Sequence, residues 1–217
     1  MIHNSNNIHT GGAALGKAHR AMILIHGRGG SAADILTLAR FFETDNDPNS
    51  TAYLAPEATM NTWYPNSFLA PLASNEPALS SALQVLRETL DRVQAHGIPA
   101  ERTYLLGFSQ GACLALEFAA RNATRFGGII GFSGGVIGPE GTPRDYEGSF
   151  NGTPVFLGCS DRDPHIPAPR VLETKEIFTN MGATVEMKLY PNMPHTIVQD
   201  EIEAAQRLVL GSSLASA

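Results

Sequence analysis

Apolar residues along this chain fall into two rhythms. Short unbroken runs, AMILI at 21–25, TAYLA at 51–55, YLLGF at 104–108, GGIIGF within 126–132 and PVFL at 154–157, stop at Gly, Pro, Ser or His without alternating with polar positions. Runs of that kind predict strands buried on both faces of a parallel sheet, and a further strand is expected over 185–190. Between them the apolar spacing changes to three and four. Ile35, Leu38 and Phe42 follow Ser31 and Asp34, a helix start in which the serine caps a free N–H and the acid meets the positive end of the helix dipole; the segment DPNS at 47–50 then breaks the chain. Leu79, Leu83, Leu86, Leu90 and Val93 mark one face of a helix that runs to about His96 and stops at Gly97. Helices are also expected after Gly111, over 167–181 and over 195–210. Strands that alternate with helices call for an α/β fold: a mostly parallel central sheet with helices on both faces and right-handed crossovers.

Two stretches stand outside this alternation. Residues 1–20 carry few large apolar side chains and are expected to form a loose lead-in or a short edge strand, with His3, His9 and His19 solvated. Residues 56–77 form a long irregular connection that nonetheless holds Met60, the only tryptophan, Trp63, and Tyr64, Phe68, Leu69 and Leu72. Connections of that length are usually lids or binding loops, so this one is expected to line a substrate pocket through Trp63, Tyr64 and Phe68. The competing reading has Trp63 and Phe68 plugging the loop onto the core. Residues 133–152 read as a Gly/Pro-rich loop. The remaining 21–217 are expected to form one domain, since 217 residues suit a single α/β unit.

Composition narrows the function classes. A net charge of −6 without a Lys/Arg cluster argues against nucleic acid or an anionic membrane surface as partner. No apolar run approaches membrane-spanning length and the N-terminus lacks the layout of a secretory signal, so no integral membrane association and a cytoplasmic location are expected; a homodimer is left open. Cys113 and Cys159 fall in segments read as buried, where free thiols behave as small apolar residues, and a disulfide framework is not expected.

The chemistry gathers around residues 104–116. There an apolar strand meets G-F-S-Q-G at 107–111 and opens into an alanine-rich helix, the strand–turn–helix context that G-x-S-x-G requires to hold its serine exposed at a sharp elbow. Ser109 is therefore the candidate nucleophile. A serine hydroxyl needs a base, and a histidine oriented by a carboxylate is the usual one. His26, the pair Asp161/Asp163 and His195 all follow predicted strands, and functional groups in parallel sheets gather at the carboxyl ends of the strands. The chain order Ser, Asp, His favours His195 as the base. Of the two acids, Asp163 precedes Pro164, which restricts its backbone to an extended conformation and fixes its side chain more firmly; Asp161 is read as bracing the loop. In His26-Gly27-Arg28-Gly29-Gly30 the glycines let the backbone approach a reacting carbonyl, so the N–H groups of Arg28 and Gln110 are the candidate oxyanion donors. His26 itself is read as a structural residue beneath that loop.

Taken together, GFSQG at 107–111, HGRGG at 26–30, DPHIP at 163–167 and YPNMPH at 190–195 resemble the phospholipase/carboxylesterase family of α/β-hydrolases, which includes acyl-protein thioesterases. The likeness spans residues 21–210. It implies the α/β-hydrolase fold, Ser109 as nucleophile, Asp163 as acid, His195 as base, and the backbone N–H groups of Arg28 and Gln110 as oxyanion hole, with no metal or cofactor. The family's thioesterases carry a different residue where Arg28 stands. The expected activity is that of a serine carboxylesterase on small-molecule esters with small to medium acyl groups. Acyl thioesterase or lysophospholipase-like activity is the alternative with the same site. A dienelactone-type hydrolase fits less well, since such enzymes resemble this fold with cysteine at the elbow. The rival from another class is a non-catalytic ligand-binding protein of the same fold.

Overall fold

A computed structural model describes residues 2–43 and 50–214. Its centre is a seven-stranded sheet in the order β1-β3-β2-β4-β5-β6-β7. The strands are β1 (Ile8–Gly12), β2 (Arg20–Ile25), β3 (Thr51–Pro56), β4 (Thr103–Phe108), β5 (Gly128–Phe132), β6 (Pro154–Ser160) and β7 (Thr184–Tyr190). All pairings are parallel except β1 with β3, which is antiparallel with Ile8 opposite Pro56. This is the mostly parallel α/β sheet that the unbroken apolar runs call for.

Double-sided burial explains why those runs do not alternate. Along β2, Ile23 and Ile25 pack with Leu105, Ile129 and Val155 on one face, beneath α2 (Ala78–Ala95), α3 (Gln110–Arg121) and α4 (Ala168–Asn180). Met22 and Leu24 pack with Leu106, Ile130 and Phe156 on the other, beneath α1 (Ala32–Leu36) and α5 (Gln199–Leu214). The two edge strands differ: β7 alternates between exposed and half-buried positions at its start, and β1 has no fully buried position.

Four sequence expectations are resolved or amended. Within residues 1–20 the chain forms the edge strand β1 rather than a loose lead-in throughout. His3 is buried, not solvated: its Nε2 lies 2.8 Å from the Trp63 carbonyl, and its Nδ1 accepts the Thr59 N–H at 3.1 Å. The helix after Ser31 starts with the expected cap, Ser31 Oγ accepting from Asp34 N–H and Asp34 Oδ2 accepting from Ser31 N–H, but it tightens into a 3-10 turn over Thr37–Phe41. Lastly, α5 begins at Gln199 rather than His195, because Glu201 folds back to take the Val198 N–H and organises the first turn there. His195 is thereby left on a loop. The break expected at 47–50 lies outside the described residues apart from Ser50.

Candidate active site

The elbow is a local consequence of its glycines. A Cβ on Gly107 would overlap the backbone of Gly111 and Ala112, and one on Gly111 would overlap the carbonyls of Ile25 and His26. Only residues without side chains let β4, α3 and β2 approach this closely. Between them Ser109 takes φ 53° and ψ −120°, a strained conformation for a residue with a side chain, costing about 1–3 kcal/mol. Its N–H donates to the Phe132 carbonyl at 2.9 Å and its carbonyl accepts the first α3 hydrogen bond from Cys113 N–H at 2.9 Å. The hydroxyl therefore stands at the positive end of α3.

Three loops following β4, β6 and β7 converge on it. Ser109 Oγ lies 2.8 Å from His195 Nε2, and His195 Nδ1 lies 2.7 Å from Asp163 Oδ2. The Asp163 side chain is sealed from solvent, while that of His195 is 18% exposed. Asp163 Oδ1 accepts two backbone N–H groups, from His165 at 2.8 Å and Ile166 at 2.9 Å. Burial alone would raise this carboxyl, but the hydrogen bonds from His195 and from those two N–H groups, with the attraction of His195, outweigh it and hold it below the usual carboxylate range. The Phe108 ring lies tilted against the His195 ring at 5.1 Å and His165 meets it edge-on at 4.9 Å. The arrangement can take a proton from the serine and stabilise the resulting imidazolium. Asp161, by contrast, is exposed, and its Oδ1 accepts the Asn192 N–H at 2.8 Å, bracing the turn that leads to His195.

His26 is buried beneath the 27–30 loop. Its Nδ1 lies 2.8 Å from the Gly27 carbonyl and its Nε2 accepts the Ala58 N–H at 3.1 Å, so both ring nitrogens are committed to holding backbone. The N–H groups of Arg28 and Gln110 have no protein acceptor among the described residues; for Gln110 this follows from its place as the first residue of α3. Sequence reasoning considered only these backbones and missed the side chains. The Arg28 guanidinium donates to the carbonyls of Tyr64, Pro65 and Asn66 at 2.8–2.9 Å. Gln110 Oε1 accepts the Trp63 N–H at 2.9 Å and its Nε2 donates to the Tyr64 carbonyl at 2.8 Å. The side chains of these two residues thus pin the 63–66 segment beside Ser109.

That segment forms part of a cavity of about 390 Å³ that includes Ser109 and His195. Tyr64 and Phe68 line it, together with Ile166 and Cys113. Trp63 does not. It is fully buried, its Nε1 donates to the His26 carbonyl at 2.9 Å, and its ring lies 5.4 and 5.1 Å from those of His3 and His26. Trp63 plugs the loop onto the core because an indole has both the area to bury and one N–H to satisfy, and a buried carbonyl is available to take it. Trp63→Ala is accordingly expected to lower unfolding free energy by about 3–5 kcal/mol, measured as a shift in denaturant midpoint; wild-type stability with an altered acyl-chain preference would contradict this placement.

A residue that no motif signals sits behind the site. Glu201, in the first turn of α5, is fully buried, and its Oε1 has no partner while its Oε2 accepts the Val198 N–H. Burial pushes its carboxyl up to about 7 from 4.5; the Val198 N–H opposes the rise, and the charges of Asp200 and Asp163 add to it. Because the folded state holds this proton after the unfolded chain has released it, the group's effect on stability is most favourable below pH 4.5. Stability is then lost as pH climbs to about 7, by about 3 kcal/mol at ~1.4 kcal/mol per unit. Glu201→Gln should flatten that fall, seen by comparing chemical denaturation of both proteins at pH 5 and pH 8. Identical pH dependences would rule the effect out.

Comparison with known proteins places this geometry. Residues 12–210 match the phospholipase/carboxylesterase family. The chain is 28% identical over 210 residues to acyl-protein thioesterase 1 of Saccharomyces cerevisiae, covering 88% of this chain and 92% of that one. It is similar to the crystal structure of a phospholipase/carboxylesterase from Dyadobacter fermentans, at 46% identity and a TM-score of 0.91 over 97% of this chain and 98% of that one. The structure of esterase PE8 matches at 25% identity and a TM-score of 0.77, over 94% and 97%.

Proposed function

The chain belongs to the phospholipase/carboxylesterase family of α/β-hydrolases, and on that footing we propose that it is a serine carboxylesterase acting on small-molecule esters of small to medium acyl groups. The observation that carries the reading is the continuous hydrogen-bonded chain from Ser109 Oγ through His195 to the buried Asp163, opening on a cavity. In this proposal His195 Nε2 removes the Ser109 proton as Oγ attacks the ester carbonyl carbon. The oxyanion that forms is held by the N–H groups of Arg28 and Gln110, donors fixed in place before the charge develops. The His195 imidazolium, oriented and stabilised by Asp163, then protonates the leaving oxygen, and the alcohol departs from an acyl-Ser109 intermediate. Water, deprotonated by His195, attacks the acyl carbon; the proton returns to Ser109 Oγ as the carboxylic acid leaves. Tyr64, Phe68 and Ile166 would enclose the acyl chain with a mostly apolar surface, as small-molecule sites usually have.

Thioester hydrolysis by the same residues is the second reading, favoured by the likeness to acyl-protein thioesterase 1 across most of both chains. No helix among the described residues is long and apolar enough to cross a membrane, and the two cysteines are free and buried. Hydrolysis of p-nitrophenyl esters from acetate to dodecanoate, beside the matching acyl thioesters, tests the proposal. Turnover that peaks among the shorter oxygen esters supports it. Activity confined to long-chain thioesters would replace it with the second reading, and no turnover of either would remove both.

A further inference from the structure

A second cavity, of about 280 Å³, shares only Arg28 with the one described above. Its apolar walls are Ile35 and Leu38, from α1 and the turn after it, with Phe108 and Ile197. Leu38, Phe108 and Ile197 are half-buried and pack against the core cluster beneath α1 and α5. Gly27 borders the cavity, and a Cβ there would lie 3.2 Å from the Phe108 ring and 3.4 Å from Ser109 Cβ. The cavity therefore reaches within one side chain of the elbow. Two of its walls flank the proposed base: the Phe108 ring lies tilted against the His195 ring at 5.1 Å, and Ile197 follows His195 by two residues.

That position has a chemical meaning. When the tetrahedral intermediate collapses, the leaving oxygen must receive its proton from His195 Nε2, so the group attached to that oxygen lies on the histidine's side of the reacting carbon. The first cavity holds Ser109 and His195 with Gln110 and the 64–68 segment, the acyl side in the proposed function, while the second meets the His195 ring only through Phe108. Asp34, at the rim of the second, has Oδ2 engaged by the N–H and hydroxyl of Ser31, and the walls formed by Ile35, Leu38, Phe108 and Ile197 suit an apolar group.

We propose that this second cavity is the leaving-group subsite, taking the alkyl or aryl portion of the ester's alcohol, with Leu38 and Ile197 as specificity-determining residues. The inference rests on the acyl-enzyme reading above. By microscopic reversibility an alcohol that fits the subsite is also a better acceptor than water: its oxygen attacks the acyl carbon, its proton passes to His195, and Ser109 Oγ leaves with that proton as a new ester forms.

The test forms the acyl-enzyme from p-nitrophenyl butyrate and lets it partition among water, methanol and 1-hexanol, with the butyrate esters quantified. Each buried methylene is worth about fourfold, so wild-type transfer to hexanol should exceed transfer to methanol at least tenfold per mole. In Leu38→Trp, which fills the cavity, that ratio should fall below threefold, while the ratio of p-nitrophenyl hexanoate to acetate hydrolysis, which reports the acyl side, stays within twofold. Ile197→Phe serves as a second filling variant should Leu38→Trp melt below assay temperature. Equal partitioning to both alcohols in the wild type would overturn the subsite while leaving the esterase intact, as would filling variants that shift the acyl ratio instead. Failure to form any acyl-enzyme would remove the esterase reading, and the subsite with it.

Discussion

Ser109→Ala and His195→Ala are each expected to lower kcat by about six orders of magnitude, with the double variant losing little more than either alone. The reason lies in the 2.8 Å contact between Ser109 Oγ and His195 Nε2. A hydroxyl at the elbow is a useful nucleophile only while its proton has somewhere to go, and the imidazole has nothing to activate once the hydroxyl is gone. What survives in every variant is the part that needs neither group: the N–H groups of Arg28 and Gln110 and the binding of the ester. Steady-state kinetics of the two single variants and the double on one short-chain ester measure this. Losses that multiplied in the double variant would mean that the two side chains act independently, and the proposed roles would fail.

Asp163→Asn is expected to lower kcat by about four orders of magnitude with little change in the ability to bind ester, whereas Asp161→Asn should cost about tenfold or less. Asp163 is an acceptor at both oxygens. Oδ1 takes the N–H groups of His165 and Ile166, and Oδ2 takes His195 Nδ1. An asparagine must turn its NH₂ toward one of these sets. With the two backbone donors fixed, the amide oxygen goes to them and the NH₂ faces Nδ1, which forces the proton onto Nε2, the nitrogen that must accept from Ser109. Asp161 offers a single exposed oxygen to Asn192 N–H, and an amide oxygen can replace it. Comparing both variants on one ester decides the matter; a crippled Asp161→Asn beside an active Asp163→Asn would reassign the acid.

What could be read in the sequence was whatever local chain geometry dictates. The elbow is specified within five residues, because Gly107 and Gly111 have no alternative where three backbones meet. The parallel sheet follows from strands too apolar to face water, and the Ser31–Asp34 cap from residues three apart. Trp63 lay beyond that reach. Whether an aromatic on a long loop faces a substrate or the core depends on partners 37 and 47 residues away, the carbonyl of His26 and the amide of Gln110. The same distance in sequence hid the Arg28 clamp and the burial of His3 against Trp63. Glu201 was invisible for another reason: a glutamate in the first turn of a helix ordinarily favours the helix dipole from solvent, and only the packing of α5 on the sheet puts this one out of water.

Ser109 as a covalent nucleophile is the claim on which the rest depends, and a fluorophosphonate probe addresses it directly. Intact-mass and peptide mapping of the folded protein after treatment should show one phosphonyl group, on Ser109, with labelling lost in Ser109→Ala and suppressed by a competing short-chain ester. Folded protein that takes up no label, or takes it up equally after Ser109→Ala, would contradict the account and leave a ligand-binding member of the family in place of an esterase.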